Sequence, residues 1–250
     1  MTTPRLKRLF LIPDAHHPFV KRSSWKLVLK VAKDFRPDIL VTLGDFIDCW
    51  SVSNYDKSPA RSSQLQTEID AANLALDELD NLKVPRKEYL FGNHEARLEK
   101  YLSTRAPELF SMMKIEQLLK LEKRGWGFTK YKDYLKIGKL FLVHDTGSAG
   151  MYAHIRSMAA FEGSVVQGHT HRLGSHYIGS ARGNSHVGIS SGWIGDPDQV
   201  DYAFRIQSAR DWHQGFTVGY MEPGGNVHLQ LVPIVDNACV VSGKRYSVTG

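Results

Sequence analysis

The 250-residue sequence predicts an α/β fold. Two observations carry that expectation. The first half alternates short apolar runs with amphipathic stretches, the pattern of parallel strands with helices packed on them. The second half is rich in strand signals, with a single helix among them. Residues 9–13 read as a short buried strand ending at Asp14. Ser23 or Ser24 is placed to cap a helix running through Arg36, with Trp25, Val28, Val31, Ala32 and Phe35 on one face and Pro37 as its stop. Residues 39–43 form a second apolar strand, ending at Gly44-Asp45. Leu65, Ile69, Ala72, Leu76 and Leu79 step by four and three, the stripe of a second helix. Residues 88–91 are a third strand, ending at Gly92-Asn93-His94. A helix is expected over residues 107–123, with Leu109, Met112, Met113, Leu118, Leu119 and Leu121 as its apolar side. Strands follow over residues 134–137 and 139–143, joined around Gly138, then over 164–167 and 187–189. Residues 152–161 are the one helix of this half. The runs 216–221 and 227–235 flank the turn Glu222-Pro223-Gly224-Gly225-Asn226, a hairpin signal.

No repeat and no Pro/Gly/Ser-rich linker divides the chain, so one domain over residues 1–250 is expected. A chain of this length buries about 70% of its surface and needs no staples. Its 42% hydrophobic and 23% charged residues are an ordinary globular profile. No apolar run approaches the roughly 20 residues of a membrane span, so no membrane partner is expected. The apolar run 9–12 is too short for a signal-peptide core, and two cysteines, Cys49 and Cys239, make no disulfide framework. The expected compartment is the cytoplasm, with both cysteines as buried thiols. The net charge of +6 is a mild excess that suits a polyanionic partner such as DNA or RNA, but its basic residues are scattered as on a solvated surface. The run KIEQLLKLEKR reads likewise as a solvated helix face over a Leu/Met contact.

Residue types that ligate metals occur just after predicted strands, five times in order: Asp14-Ala15-His16, Gly44-Asp45, Gly92-Asn93-His94-Glu95, His144 and Gly168-His169-Thr170-His171. Strand ends in open α/β sheets are where ligands gather, because a rigid sheet holds the loops there. At this chain's composition Gly-Asn-His-acid arises by chance about 0.003 times and Gly-His-x-His about 0.04 times, whereas Asp-x-His is expected about once in two such chains. The ordered set is therefore the signal. Oxygen donors from Asp14, Asp45 and Asn93 with imidazoles from His16, His144, His169 and His171 suit first-row divalent ions. The absence of cysteine from the set argues against a structural zinc finger. Seven ligands exceed the needs of one ion with an open position and match two ions sharing a carboxylate, the arrangement that clamps an in-line phosphoryl displacement.

DAH, GD, GNHE, the later His and GHTH resemble the signature of calcineurin-like metallophosphoesterases, of the small bacterial or phage-encoded kind, over residues 14–171. The resemblance implies a four-layer α/β/β/α sandwich of two mixed sheets. It implies that Asp14, His16, Asp45 and His171 hold a first ion, and that Asp45 bridges to a second held also by Asn93, His144 and His169. It further implies a metal-bridging hydroxide as nucleophile, His94 assisting the leaving group, and Glu95 orienting His94. Arg97 matches the family's GNHExR pattern and, with Asn93, is a candidate for contacting phosphate oxygens. Two departures stand out. The Arg that follows the second Asp of GDxxDRG in the Ser/Thr phosphatases is absent, since Cys49 and Trp50 follow Asp48. Asp145-Thr146 replaces the Gly-Gly after the later His. The expectation is thus a phosphodiesterase or nuclease, with a phosphomonoesterase as the alternative and a non-catalytic scaffold third. Two divalent ions are expected, Mn²⁺ first, with Fe, Zn, Ni, Co and Mg also admitted by the donors. If the chain is phage-encoded, the compartment is the host cytoplasm.

Among the remaining aromatics, Trp193, Tyr202, Phe204 and Trp212 with Arg205 and Arg210 form a stretch that could stack bases, although ordinary packing of a long loop, or a self-association surface, explains them better. His17, His154, His176, His186, His213 and His228 belong to no motif and are expected to be structural or on the surface, with His17 and His213 the two that could face a cleft.

Overall fold

The computed structural model describes residues 5–54, 64–179, 181, 183–199 and 211–249. Strand β1 (Lys7–Ile12) is apolar without a break from Leu9 onward, where both its faces are covered. Leu9 and Leu11 point to one side, Phe10 and Ile12 to the other. β2 (Ile39–Thr42), β3 (Arg86–Leu90) and β4 (Trp126–Thr129) continue the sheet in parallel, in that order. Helices α1 (Arg22–Phe35) and α2 (Leu65–Asp80) return the chain between them, and α3 (Glu95–Arg105) follows β3. All three pack on the face bearing Phe10, Ile12, Leu40 and Tyr89, through residues such as Val28, Val31, Ile69, Leu76 and Leu98.

Neither Ser23 nor Ser24 caps α1. The helix starts at Arg22, and Lys21 precedes it without a side-chain cap bond. A tertiary contact decides this start: the Lys21 N–H donates to Ile194 O at 2.9 Å, fixing the chain's entry. At the other end Arg36 takes the left-handed conformation (φ 50°) and donates to Ala32 O, closing the helix before Pro37. The helix expected over residues 107–123 is broken. It consists of a 3₁₀ turn at Pro107–Leu109, a single short helix α4 (Ile115–Leu118) and turns. Ile115, Leu119 and Leu121 are the residues the core takes, and 119 and 121 cannot share one helical face. Lys120 between them goes left-handed (φ 55°), and Met112 is left 73% exposed.

A second sheet comprises β5 (Leu135–Ile137), β6 (Leu140–Val143), β7 (Ser164–Gln167), β8 (Leu173–Gly179) and β9 (Ser185–Ser191), in the order β5-β6-β7-β9-β8. β6, β7 and β9 are parallel, and β5 and β8 join the edges antiparallel. Helix α5 (Ala153–Phe161) links β6 to β7. The anticipated hairpin, β10 (Gly215–Met221) and β11 (Val227–Pro233), returns to the first sheet, where β10 lies antiparallel to β1. A small ribbon, β12 (Ala238–Val241) and β13 (Lys244–Ser247), ends the fold and places Cys239, Val241 and Tyr246 in the α1 side of the core.

Between the sheets Leu9, Leu11, Ile39, Val41 and Leu90 meet Ile137, Leu140, Leu142, Val166, Val187 and Ile189. Outside the second sheet Met158 of α5 packs on Val143 and Val165. The order is helices, sheet, sheet, helix: a four-layer α/β/β/α arrangement of two mixed sheets, as expected. Among the described residues no helix is long and apolar enough to cross a membrane.

Candidate metal centre

The loops after β1, β2, β3, β6 and β7 carry the seven expected ligands, and backbone bonds tie the first two to each other and the β1 loop to the segment after β9. Ala15 and His16 N–H donate to Asp45 O at 3.1 and 2.9 Å, His17 N–H to Phe46 O at 2.8 Å, and Ile194 N–H to Asp14 O at 2.9 Å. His16, Asp45, His169 and His171 all take left-handed backbone conformations, with φ of 53°, 48°, 67° and 56°. Each such residue costs of order 1–3 kcal/mol, a cost sustained where the surroundings over-determine the shape. Two glycines are required by close approach: a Cβ on Gly92 would lie 2.1 Å from Asp45 Oδ1, and one on Gly168 would lie 2.3 Å from Asp14 Oδ1.

The expected ligands converge as two groups, Asp14, His16 and His171 in one, Asp45, His144 and His169 in the other, and a third group of His16, Asp48 and His94 shares His16 with the first. In the first, His16 Nε2 lies 3.1 Å from His171 Nε2, which lies 3.2 Å from Asp14 Oδ2. In the second, His144 Nε2 lies 3.3 Å from Asp45 Oδ2 and 3.0 Å from Asn93 Oδ1, and His169 Nδ1 lies 2.9 Å from the same Asn93 oxygen. Both carboxylates commit one oxygen to backbone. Asp14 Oδ1 accepts from His169 N–H at 3.1 Å, and Asp45 Oδ1 from His94 N–H at 2.8 Å. Their Oδ2 atoms face the imidazoles, and buried Asp14 Oδ2 accepts no hydrogen bond. The rings are oriented from behind: His16 Nδ1–H donates to Asp48 at 3.1 Å and His144 Nδ1–H to Leu43 O at 2.9 Å, so each Nε2 is turned inward.

Buried acceptors facing acceptors, with an orphaned carboxylate oxygen among them, fit a bound cation. Titration behaviour agrees. Burial pushes the carboxyls of Asp14 and Asp45 up, but the imidazoles facing them outweigh it and hold both below the usual range. Against burial, Asp45 and Asp14 lift the His144 imidazole to about 10. A proton and a divalent cation therefore compete for one His144 lone pair. His16 is raised by Asp48 in spite of its burial, whereas burial of His171 outweighs Asp14 and lowers it.

Glu95 requires a correction. It does not orient His94. Its carboxylate is buried beneath the Asp45 loop, accepting from the N–H groups of Asp45 (3.0 Å), Phe46 (2.9 Å), Ile47 (3.3 Å) and Gly92 (2.7 Å) and from Tyr89 Oη–H (2.7 Å). As the first residue of α3 it reaches back under the ends of two strands. The partners of His94 are others. Arg97 Nη2 donates to His94 Nε2 at 2.7 Å, Asp48 Oδ2 lies 3.5 Å from Nδ1, and Asp45 Oδ2 lies 3.6 Å from Nε2. Burial, opposed by Asp45 and aided by Arg97, lowers the His94 pKa to about 4, so the ring is neutral with its proton on Nδ1. Arg97 also donates to Asp48 O and Oδ1, at 2.9 and 3.2 Å. Asp48 is the site residue that the ligand motifs passed over. It joins His16, His94 and Arg97 in one cluster, and its only signal was the spacing Asp45-x-x-Asp48.

The aromatic stretch divides. Trp193 is buried and stacks on His171 at 4.6 Å and 12°, and half-buried Trp212 meets the same ring edge-on at 4.6 Å. Tyr202, Phe204, Arg205 and Arg210 lie outside the described residues. His17 does not face the cleft: it sits between Trp25 and Phe46, where burial lowers its pKa to about 3. His213 is exposed. Cys49 and Cys239 are both buried, and burial raises both thiols.

No family model matches the chain. It is similar to the Gene 54 protein of Mycobacterium phage L5, with 28% identity over 261 aligned positions that cover 97% of this chain and 99% of that one. The Gene 54 protein of Mycobacterium phage D29 aligns at 28% over 258 positions, covering 98% and 97%. Among solved structures, YfcE, a phosphoesterase from E. coli, aligns over 90% of this chain and 98% of its own with 14% identity and a TM-score of 0.41. TT1561 of Thermus thermophilus aligns over 91% and 99% with 8% identity and a TM-score of 0.39.

Proposed function

We propose that this chain is a metal-dependent phosphoesterase acting first on phosphodiesters, with nucleic acid as the substrate class that its net charge of +6 suits. The observation that carries the reading is the inward convergence of Asp14, His16 and His171 beside Asp45, Asn93, His144 and His169, their rings oriented from behind and their carboxylates half committed to backbone. Ions held by these two groups would supply Lewis acidity toward a phosphoryl oxygen and acidify water, with Mn²⁺ the first choice.

The remaining roles fall to this chain's own side chains. Asp48 keeps the His16 proton on Nδ1. Arg97 carries a guanidinium between His94 and Asp48, where an incoming phosphoryl oxygen can take it over bidentately. That exchange frees His94 Nε2, the ring atom beside Asp45, to face the leaving oxygen. Being unprotonated there, Nε2 takes up the proton given up by the attacking water and passes it to the leaving oxygen, a contribution of typically 10²–10⁴-fold. Glu95 holds the Asp45 loop rigid.

The second reading, a phosphomonoesterase, is favoured by Arg97 itself, a cation suited to a phosphate dianion. Initial rates of the Mn²⁺-reconstituted protein on bis-p-nitrophenyl phosphate and p-nitrophenyl phosphate decide between the two. A diester preference supports the first reading and a monoester preference the second. Absence of metal-dependent turnover on either favours a non-catalytic scaffold.

A further inference from the structure

Glu95 is one of two buried carboxylates that grip the loops of this site from beneath. The other is Glu68, in the first turn of α2. Its Oε2 accepts the Trp50 N–H at 2.8 Å and its Oε1 the Ser51 N–H at 2.9 Å, one oxygen to each donor. These N–H groups open the 3₁₀ turn Trp50–Val52, at the end where a helical turn has no partners of its own for them. The turn follows Asp48 through Cys49 alone, and Cys49 is held left-handed at φ 50°. Moving the turn therefore moves Asp48. On its other side Asp48 donates its N–H to His17 O at 3.0 Å, and its O accepts from Arg97 at 2.9 Å. The Asp48 carboxylate meets three groups at once. It accepts from His16 Nδ1–H at 3.1 Å and from Arg97 at 3.2 Å, and it lies 3.5 Å from His94 Nδ1.

We infer that Glu68 is a positioning residue of this site: by clamping the Trp50–Ser51 turn it fixes Asp48 where that carboxylate aims the His16 and His94 rings. The inference deepens the phosphoesterase reading and rests on it only where a rate is read. Two N–H groups of a turn could be satisfied by any two acceptors. A single carboxylate gives both bonds in one fixed geometry, and each is stronger for its charge. Fixed geometry is what Asp48 needs, since functional groups work only when held within about 0.5 Å of their productive places. Glu68 acts on the two rings through Asp48. Partners that stand behind a metal-ligating imidazole typically carry roughly 10–100-fold in metal affinity or activity. A Glu68 that merely ties α2 to the turn would instead contribute stability and leave the rings where they are.

The test is a double-mutant cycle of Glu68→Gln and Asp48→Asn, with Leu76→Ala, a buried position on the same helix, as the control for lost stability. Glu68→Gln keeps the volume and sets an amide NH₂ against one of the two N–H groups. Three quantities are read: the proton resonance of His16 Nδ1–H in metal-free protein, assigned by its absence in His16→Ala; the Kd for Mn²⁺ by calorimetry; and kcat/KM on bis-p-nitrophenyl phosphate. In Glu68→Gln the resonance should broaden or vanish, the Mn²⁺ Kd should rise about tenfold and kcat/KM should fall about tenfold. Added to Asp48→Asn, Glu68→Gln should cost less than about twofold further, because its route to the rings is already cut. Leu76→Ala should lower Tm and leave all three quantities in place. A Glu68→Gln protein that loses stability but keeps the His16 resonance and the Mn²⁺ Kd would overturn the proposal. So would undiminished losses in the Asp48→Asn background, since Glu68 would then act by another route. If Glu68→Gln does not fold, Glu68→Asp carries the same cycle, with both acceptor oxygens kept and drawn back by one methylene. If wild type does not turn over the diester, the phosphoesterase reading fails on its own, and the resonance still decides whether Glu68 orients His16.

Discussion

At the scale of single residues, the site separates atoms that face a cation from atoms that hold them in place. Glu95 belongs to the second kind, and its five hydrogen bonds set a clear expectation. Glu95→Ala leaves buried N–H groups of Asp45, Phe46 and Gly92 without an acceptor and should cost at least about 3 kcal/mol of stability, read by denaturant unfolding. Glu95→Gln should lower Mn²⁺ occupancy while leaving the pH profile of the residual turnover in place. A displaced profile with full occupancy would restore Glu95 as the partner of His94. His94 stands outside the two groups formed by the expected ligands, and in the group it shares with His16 and Asp48 its Nε2 accepts from Arg97. His94→Ala should therefore keep the metal, measured by plasma mass spectrometry, and reduce turnover by about 10² or more. Metal lost together with activity would mean that His94 serves as a ligand.

At the scale of elements, polar anchors fix how the helices meet the first sheet. Asp80, at the end of α2, accepts from Lys87 on β3 at 2.6 Å, from Trp126 on β4 at 2.8 Å and from Arg124 at 2.7 Å. Burial would raise its carboxyl, but these donors outweigh it and hold the group below its ordinary value. A carboxyl depressed in the folded state contributes stability above its unfolded pKa and loses it as pH falls through the folded one. Asp80→Asn should thus be less stable than wild type by about 1–2 kcal/mol at pH 7, with the gap closing as pH falls below about 4. A gap that does not vary with pH would contradict the ionic account. The elements that escaped sequence reading have physical reasons. β8, Leu-Gly-Ser-His-Tyr-Ile-Gly, is an edge strand exposed along most of its length, so no core demanded an alternating pattern. Apolar spacing over residues 107–123 fitted a helix, yet the core took Leu119 and Leu121, two positions that one helix cannot turn inward together.

At the scale of the whole molecule, two mixed sheets bring five loops from distant parts of the chain to one place. All the ligands but His144 were legible because they sit in short words, Asp-Ala-His, Gly-Asp, Gly-Asn-His-Glu or Gly-His-Thr-His, and Gly92 and Gly168 in the last two mark where backbone and carboxylate nearly touch. The cluster of Asp48, His94 and Arg97 was not legible, since it depends on the β2 loop meeting α3 in space. Because the cation-holding atoms come from both sheets, a bound metal should stabilise the fold as one unit. Adding Mn²⁺ at a hundredfold its Kd to chelator-treated protein should raise stability by about 2.7 kcal/mol per site, seen as an upward shift in Tm, and His171→Ala should reduce the gain. An unchanged Tm would speak against metal binding. The central claim, a metal-dependent phosphoesterase site, is tested most directly by kcat/KM for bis-p-nitrophenyl phosphate with and without Mn²⁺, in wild type and in His171→Ala. The account predicts turnover that requires the metal and falls at least about 10²-fold in the variant. Equal rates in the two proteins, or rates indifferent to Mn²⁺, would contradict it.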